Sequence, residues 1–224
     1  PARLHMGFID LSGALHRHFG SIGMALNEHA TRLTVTESNQ RLITGVCQER
    51  AELCLTTLCR ALNVSDKVSI HVESAIPEHV GLGSGTQLSL AIAAGLNALY
   101  GLGLSVRQLA SLMDRGLRSG IGIGVFEQGG FVVDGGRGEK TVIPPVLARF
   151  SIPDHWRFIL VFDKRGQGLH GQQEIQAFQK LPPFPQQEAA RLCYLLLMQG
   201  LPALAEHDIV AFGAVITELQ RSVG

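Results

Sequence analysis

Between residues 67 and 101 the hydrophobic period of the chain changes from two to about 3.6, and the change happens across a cluster of glycines. Residues 67–74 alternate, placing Val68, Ile70 and Val72 on one face of an expected strand. Pro77 ends that strand, and Gly81, Gly83 and Gly85 follow within ten residues of it. A long apolar helix is then expected over residues 86–100, closed by Gly101. A helix start carries N–H groups without intrahelical partners and the positive end of the helix dipole. Glycines before it let the backbone approach an oxyanion closely. The loop therefore reads as a phosphate cradle made of Gly81, Gly83, Ser84, Gly85 and Thr86, whose two hydroxyls suit a phosphate or its Mg²⁺. The rival reading is a turn that only caps a helix. The loop lacks the GK[ST] of a P-loop and the third glycine of a dinucleotide fingerprint.

The remainder reads as mixed α and β. Short strands are expected within residues 4–9, 22–26 and 32–36, and helices over 50–62 and 106–117. Glycines interspersed with apolar residues over 116–138 suggest closely spaced strands around a tight loop. The proline-rich stretch 143–153 reads as a connection, and 156–162 (WRFILVF) as a buried strand. Helices at about 187–198 and 206–221 close the chain, and a domain boundary is expected near residue 150, giving domains 1–150 and 151–224.

Composition removes several function classes. Hydrophobic residues make up 46% and charged residues 17%, so the chain can bury a core and is not disordered. Nineteen basic and nineteen acidic residues cancel, so no bulk attraction to nucleic acid or a membrane surface is expected. The most apolar stretch, 88–104, is interrupted by Ser89, Asn97 and glycines, which argues against a membrane span. Cys47, Cys54, Cys59 and Cys193 form no CxxC, so buried thiols in a reducing cytoplasm are expected rather than a zinc ribbon.

Pro77-Glu-His-Val-Gly-Leu-Gly-Ser84 resembles the phosphate-loop motif of the GHMP small-molecule kinases, and the opening Pro1–Gly7 resembles their first motif. RLHMGFIDLSG at residues 3–13, Gly20–Met24, Arg118–Gly124, Phe126–Gly135 and Gly168–Gly171 look like one branch of that superfamily, the β-ribofuranosylaminobenzene 5′-phosphate synthases. The resemblance implies an α+β, two-domain GHMP-kinase-like fold: an N-terminal domain like ribosomal protein S5 domain 2 and a ferredoxin-like C-terminal domain. No third glycine-rich motif occurs before Gly224, so that second domain is expected to be incomplete. A homodimer is likewise implied.

Two reactions follow from the resemblance. The synthases condense p-aminobenzoate with phosphoribosyl pyrophosphate, releasing CO₂ and pyrophosphate in methanopterin biosynthesis; p-hydroxybenzoate is the alternative aryl acid. The kinases transfer phosphate from ATP. Many of those kinases carry S-G-x-D, whereas here Ser119-Gly120-Ile121 is followed by Gly122, and their metal-binding Glu would fall near Ser111. Both losses favour the synthase, with the kinase as runner-up and a non-catalytic phosphate-ligand sensor as a third reading. On the synthase reading, Gly81–Thr86 takes the pyrophosphate. Arg17 and Arg118 take the 5′-phosphate or the carboxylate, since arginine suits bidentate oxyanion contacts. His18 or His5 is a pocket-lining proton donor, Glu127 or Asp10 holds Mg²⁺ or the aryl amine, and Ser84 and Glu127 are the candidate metal ligands. Each has a structural rival: Arg3 and Arg17 as ion pairs, Glu127 and Asp134 as acceptors for backbone N–H groups, His16 and His18 as an HxH pair lacking a third ligand. Asp163, Arg165, His170 and Glu174 close the site from the second domain or form a solvated loop.

Overall fold

A computed structural model describes residues 1–78, 80–162 and 182–223. Asp163, Arg165, His170 and Glu174 lie outside the described residues. The N-terminal strands β1 (Ala2–Asp10) and β2 (Arg17–Leu26) form an antiparallel hairpin, with Ala2 opposite Leu26 and Asp10 opposite Phe19. Two later strands, β6 (Phe131–Asp134) and β8 (Val146–Phe150), extend that sheet in the order β1-β2-β6-β8, and the short β7 (Arg137–Gly138) pairs with the start of β2. A second sheet holds β3 (Arg32–Glu37), β5 (Val68–Ser74) and β4 (Leu42–Gly45). Strands β4 and β5 run parallel, joined by the crossover helix α1 (Gln48–Leu62).

Helix α1 and helix α2 (Ser84–Leu99) cover one face of the second sheet. Leu55, Leu58, Ile92 and Leu96 pack against Val68, Ile70 and Val72, the three residues that the period-two pattern put on one face. The first sheet is covered on both faces. Helix α4 (Ile121–Gln128) lies on one, with Ile121 and Val125 against Val132. Against the other lie α5 (Gln186–Leu195), a π turn (Leu196–Gly200), α6 (Leu201–Ala205) and α7 (Ile209–Val223). This largest core runs across residue 150: Phe212 of α7 meets Phe131 of β6 and Trp156, both at ring-centroid distances of 5.5 Å. The C-terminal helices thus share a core with the N-terminal sheet.

Four local expectations need correction. The helix over 106–117 is only α3 (Val106–Ser111). It stops because Asp114 takes a left-handed φ of 52° and Arg115 N–H closes back on the Ala110 carbonyl. The expected strands within 116–138 include instead helix α4. Its Gly122 and Gly124 are packing residues, since a Cβ on Gly124 would lie 2.9 Å from Val132 Cγ1. The connection at 143–153 contains β8. Residues 156–162 are not assigned to a strand and are not buried throughout: Trp156 is buried, but Ile159 and Val161 are each 89% exposed. Alternation survives there because Phe158 and Leu160 pack against the core.

Candidate active site

The glycine loop is anchored to β1 through Leu82 and through the side chain of Arg3. Leu82 is buried in the main core, and its carbonyl accepts the Arg3 N–H at 3.0 Å, which ties the loop to β1. Flanking it, Gly81 and Gly83 have φ of 78° and 75°, a region that costs a side-chain-bearing residue strain. Gly83 is required twice over, because a Cβ there would lie 2.7 Å from Arg3 Cγ. Arg3 lies along the loop and donates from Nη1 to the Gly81 carbonyl at 3.0 Å. Helix α2 begins at Ser84 with Gly83 as its N-cap, so no side chain caps its first N–H groups.

Two further guanidinium groups reach this helix start. A Cβ on Gly85 would lie 3.2 Å from Arg50 Nη2 and 4.0 Å from Arg115 Nη1. Arg50 comes from the first turn of α1 and pairs with Glu78. Arg115 follows α3 and donates from Nη2 to Ser89 Oγ at 3.1 Å. Ser89 in turn donates to the Gly85 carbonyl at 2.8 Å. Neither arginine stands near the loop in sequence, and no spacing signal marks either.

The first turn of α4 packs against the first turn of α2. Gln87 is 1% exposed and donates from Nε2 to the Gly122 carbonyl at 2.7 Å. Gly122 faces the start of α2 after the glycine loop, since a Cβ there would lie 3.3 Å from Thr86 Cγ2. The position that S-G-x-D proteins fill with a carboxylate is therefore turned toward Thr86, and here it carries no side chain. The start of α4 is held by Asp134, which is fully buried. Asp134 accepts from Gly120 N–H and Gly136 N–H at 2.8 Å each, from Ser21 Oγ, and from Ser119 Oγ at 3.3 Å. Burial pushes its carboxyl up, against the downward pull of these four donors. Asp134 thus binds backbone N–H groups, as its structural reading proposed, and in doing so sets where α4 points.

The structure brings some of the proposed site residues together and separates others. Arg118 and Arg3 both lie near His5: burial first, then the charges of these two arginines, push the His5 imidazole down to about 3. His5 Nδ1 accepts the Gly7 N–H at 3.3 Å, so the ring proton sits on a buried Nε2. His5 is neutral at neutral pH, and its buried Nε2 meets no hydrogen-bond partner among the described residues. Arg17 and His18 begin β2, eight residues from the Ala25 that pairs with Arg3, a span of about 25 Å at strand rise. Arg17 donates to the carbonyls of Gly135 and Gly136 at 3.0 and 2.9 Å, so it clasps the turn after Asp134. The exposed His18 lies against Gly13. Asp10 accepts from the N–H and Oγ of Ser12. Glu127 ends α4, at the opposite end from Gly122, with its carboxylate 3.9 Å from Arg107 Nε. Among the described residues no group of three His, Cys, Asp or Glu is placed to hold a metal ion, and no helix is long and apolar enough to cross a membrane.

Comparison with known proteins bears on this site. Residues 48–130, from α1 through the glycine loop to α4, match the family model of the GHMP kinase N-terminal domain. Over 99% of its length the chain is 37% identical to a β-ribofuranosylphenol 5′-phosphate synthase of Archaeoglobus fulgidus, covering 74% of that protein. It is 34% identical over 98% of its length to the protein of that name from Methanothermobacter thermautotrophicus, again covering 74% of it. Among solved structures, Streptococcus pneumoniae phosphomevalonate kinase superposes with a TM-score of 0.66 at 12% identity, over 98% of this chain and 76% of the kinase, a likeness of fold.

Proposed function

Since the chain belongs to the β-ribofuranosylphenol 5′-phosphate synthase family, within the GHMP superfamily fold, we propose that its substrates are phosphoribosyl pyrophosphate and a para-substituted benzoate. In this reaction the ribose C1–O bond to pyrophosphate breaks as the ring carbon bearing the carboxylate bonds to C1. The C–CO₂ bond then breaks, its electron pair restores aromaticity, and CO₂ leaves. The para group, hydroxyl or amino, pushes electron density toward the attacking carbon.

The observation that carries this reading is Gly122 facing Thr86 at the mouth of a phosphate loop. The loop and helix start suit a phosphate, and the carboxylate that would orient an attacking hydroxyl is replaced by a glycine. Leaving-group departure asks for oxyanion stabilisation rather than a base. The first N–H groups of α2, with Arg3 alongside, supply it. Arg118, whose charge acts on His5 as that of Arg3 does, is the candidate for the carboxylate or the 5′-phosphate. Mg²⁺ is proposed as the cofactor, and a metal of this kind usually arrives on substrate phosphates with few protein ligands. The Ser84 and Thr86 hydroxyls suit that role, while Glu127 is held by Arg107. Bound there, Mg²⁺ would neutralise charge on the departing pyrophosphate. The assembly is proposed to be a homodimer, which light scattering would test.

The test is release of labelled CO₂ from carboxyl-labelled p-hydroxybenzoate and p-aminobenzoate, each with phosphoribosyl pyrophosphate and Mg²⁺. Release needing both substrates, and falling in Ser84→Ala and Arg118→Ala, is the expected result; the faster acid identifies the aryl substrate. No release with either acid, alongside ADP formation from ATP and a small alcohol, would replace the synthase by the kinase.

A further inference from the structure

We infer that Arg115, together with Arg50, grips the diphosphate of the substrate and makes the loop selective for a diphosphate over a single phosphate; this rests on the reading of the loop given above. Two guanidinium groups converge beside the first turn of α2, a Cβ on Gly85 standing 3.2 Å from Arg50 Nη2 and 4.0 Å from Arg115 Nη1, and the positive end of the helix dipole lies at that same turn. Like charges brought together in a half-buried place are costly without an anion between them. Arg50 is balanced in part by Glu78. Arg115 forms no ion pair with a carboxylate among the described residues, and its Nε is buried without a hydrogen-bond partner. One arm of Arg115 is occupied by Ser89 Oγ, which fixes the plane of the guanidinium and leaves Nη1 directed at Gly85. The geometry thus pairs a rigid fork with a helix terminus, an arrangement suited to two linked phosphates. Arg3, on the other side of Gly83, makes the polar surround continuous along the loop.

The experiment is calorimetric titration of the protein with inorganic pyrophosphate and, separately, with orthophosphate. It compares wild type, Arg115→Gln, Arg50→Gln and Arg115→Lys, with thermal midpoints and CO₂ release measured in parallel. A lost charge-assisted contact of this kind should raise Kd for pyrophosphate by about tenfold to a hundredfold. Orthophosphate should be weakened much less, KM for phosphoribosyl pyrophosphate should rise, and KM for the aryl acid should stay unchanged. Arg115→Lys, which keeps the charge, should fall between and carries the test if the Gln variant does not fold. Equal weakening of pyrophosphate, orthophosphate and aryl acid with a lowered thermal midpoint would make Arg115 a brace for the loop after α3 and overturn the inference. An unchanged pyrophosphate Kd would overturn it as well. Arg115-dependent pyrophosphate binding in a protein that releases no CO₂ would sink the synthase reading and leave this one standing.

Discussion

Gln87 Nε2 donates to the Gly122 carbonyl at 2.7 Å, and through that bond the helix that follows the glycine loop is locked to the helix that follows Ser119-Gly120. The two helices can be this close because Gly122 has no side chain, a Cβ there standing 3.3 Å from Thr86 Cγ2.

Gly122→Ala should therefore lower kcat/KM by about tenfold or more, because displaced loop atoms lose their alignment with the leaving group. Its stability should change little. The gain in helix propensity, about 1 kcal/mol, offsets the crowding. Adding Thr86→Ser, which removes the crowded methyl and keeps the hydroxyl, should restore much of the activity. A double variant no better than Gly122→Ala would show that contact with Thr86 is not what matters. Gly122→Asp should abolish CO₂ release, since its larger side chain has to displace Thr86 and Gln87, which a Cβ there already meets at 3.3 and 3.9 Å.

Asp134→Asn should destabilise the fold by about 1–3 kcal/mol, the cost of leaving buried donors without an acceptor. The four donors to Asp134 come from β2, from the segment before α4 and from the turn that Arg17 clasps. One substitution should thus loosen three parts of the site wall. Urea denaturation with an unchanged m value would measure it, and a midpoint equal to wild type would refute the role.

His5 makes stability depend on pH. Its folded value of about 3 lies below the ordinary 6.5, so between those values the unfolded chain binds the extra proton. Its contribution is fully present above about pH 6.5 and is lost as pH falls toward 3, with a slope of up to about 1.4 kcal/mol per pH unit. Between about pH 5 and 6.5, where most carboxylates stay ionised, His5→Gln should flatten the loss of stability seen in wild type. Parallel pH profiles would remove His5 as its source.

The periodicity of residues 67–74 and the glycines before Ser84 were enough to place a strand, a loop and a helix in the right order. That order is legible locally, because alternation, left-handed backbone and helix ends are properties of short segments. The same local reasoning misread residues 121–128 as strand. Gly122 and Gly124 are helical, and they leave gaps that Thr86 and Val132 fill. Glu127 stands five residues along the helix from Gly122, with its carboxylate 3.9 Å from Arg107 Nε. The strand, glycine loop and helix over residues 67–101 and the missing carboxylate at 122 were legible in the sequence alone. Which charges meet at Gly85 was decided only by the tertiary structure. Arg50 and Arg115 lie on separate elements and come together because the packing of α1 and the loop after α3 against α2 sets their distance, and no pattern along the chain encodes that distance.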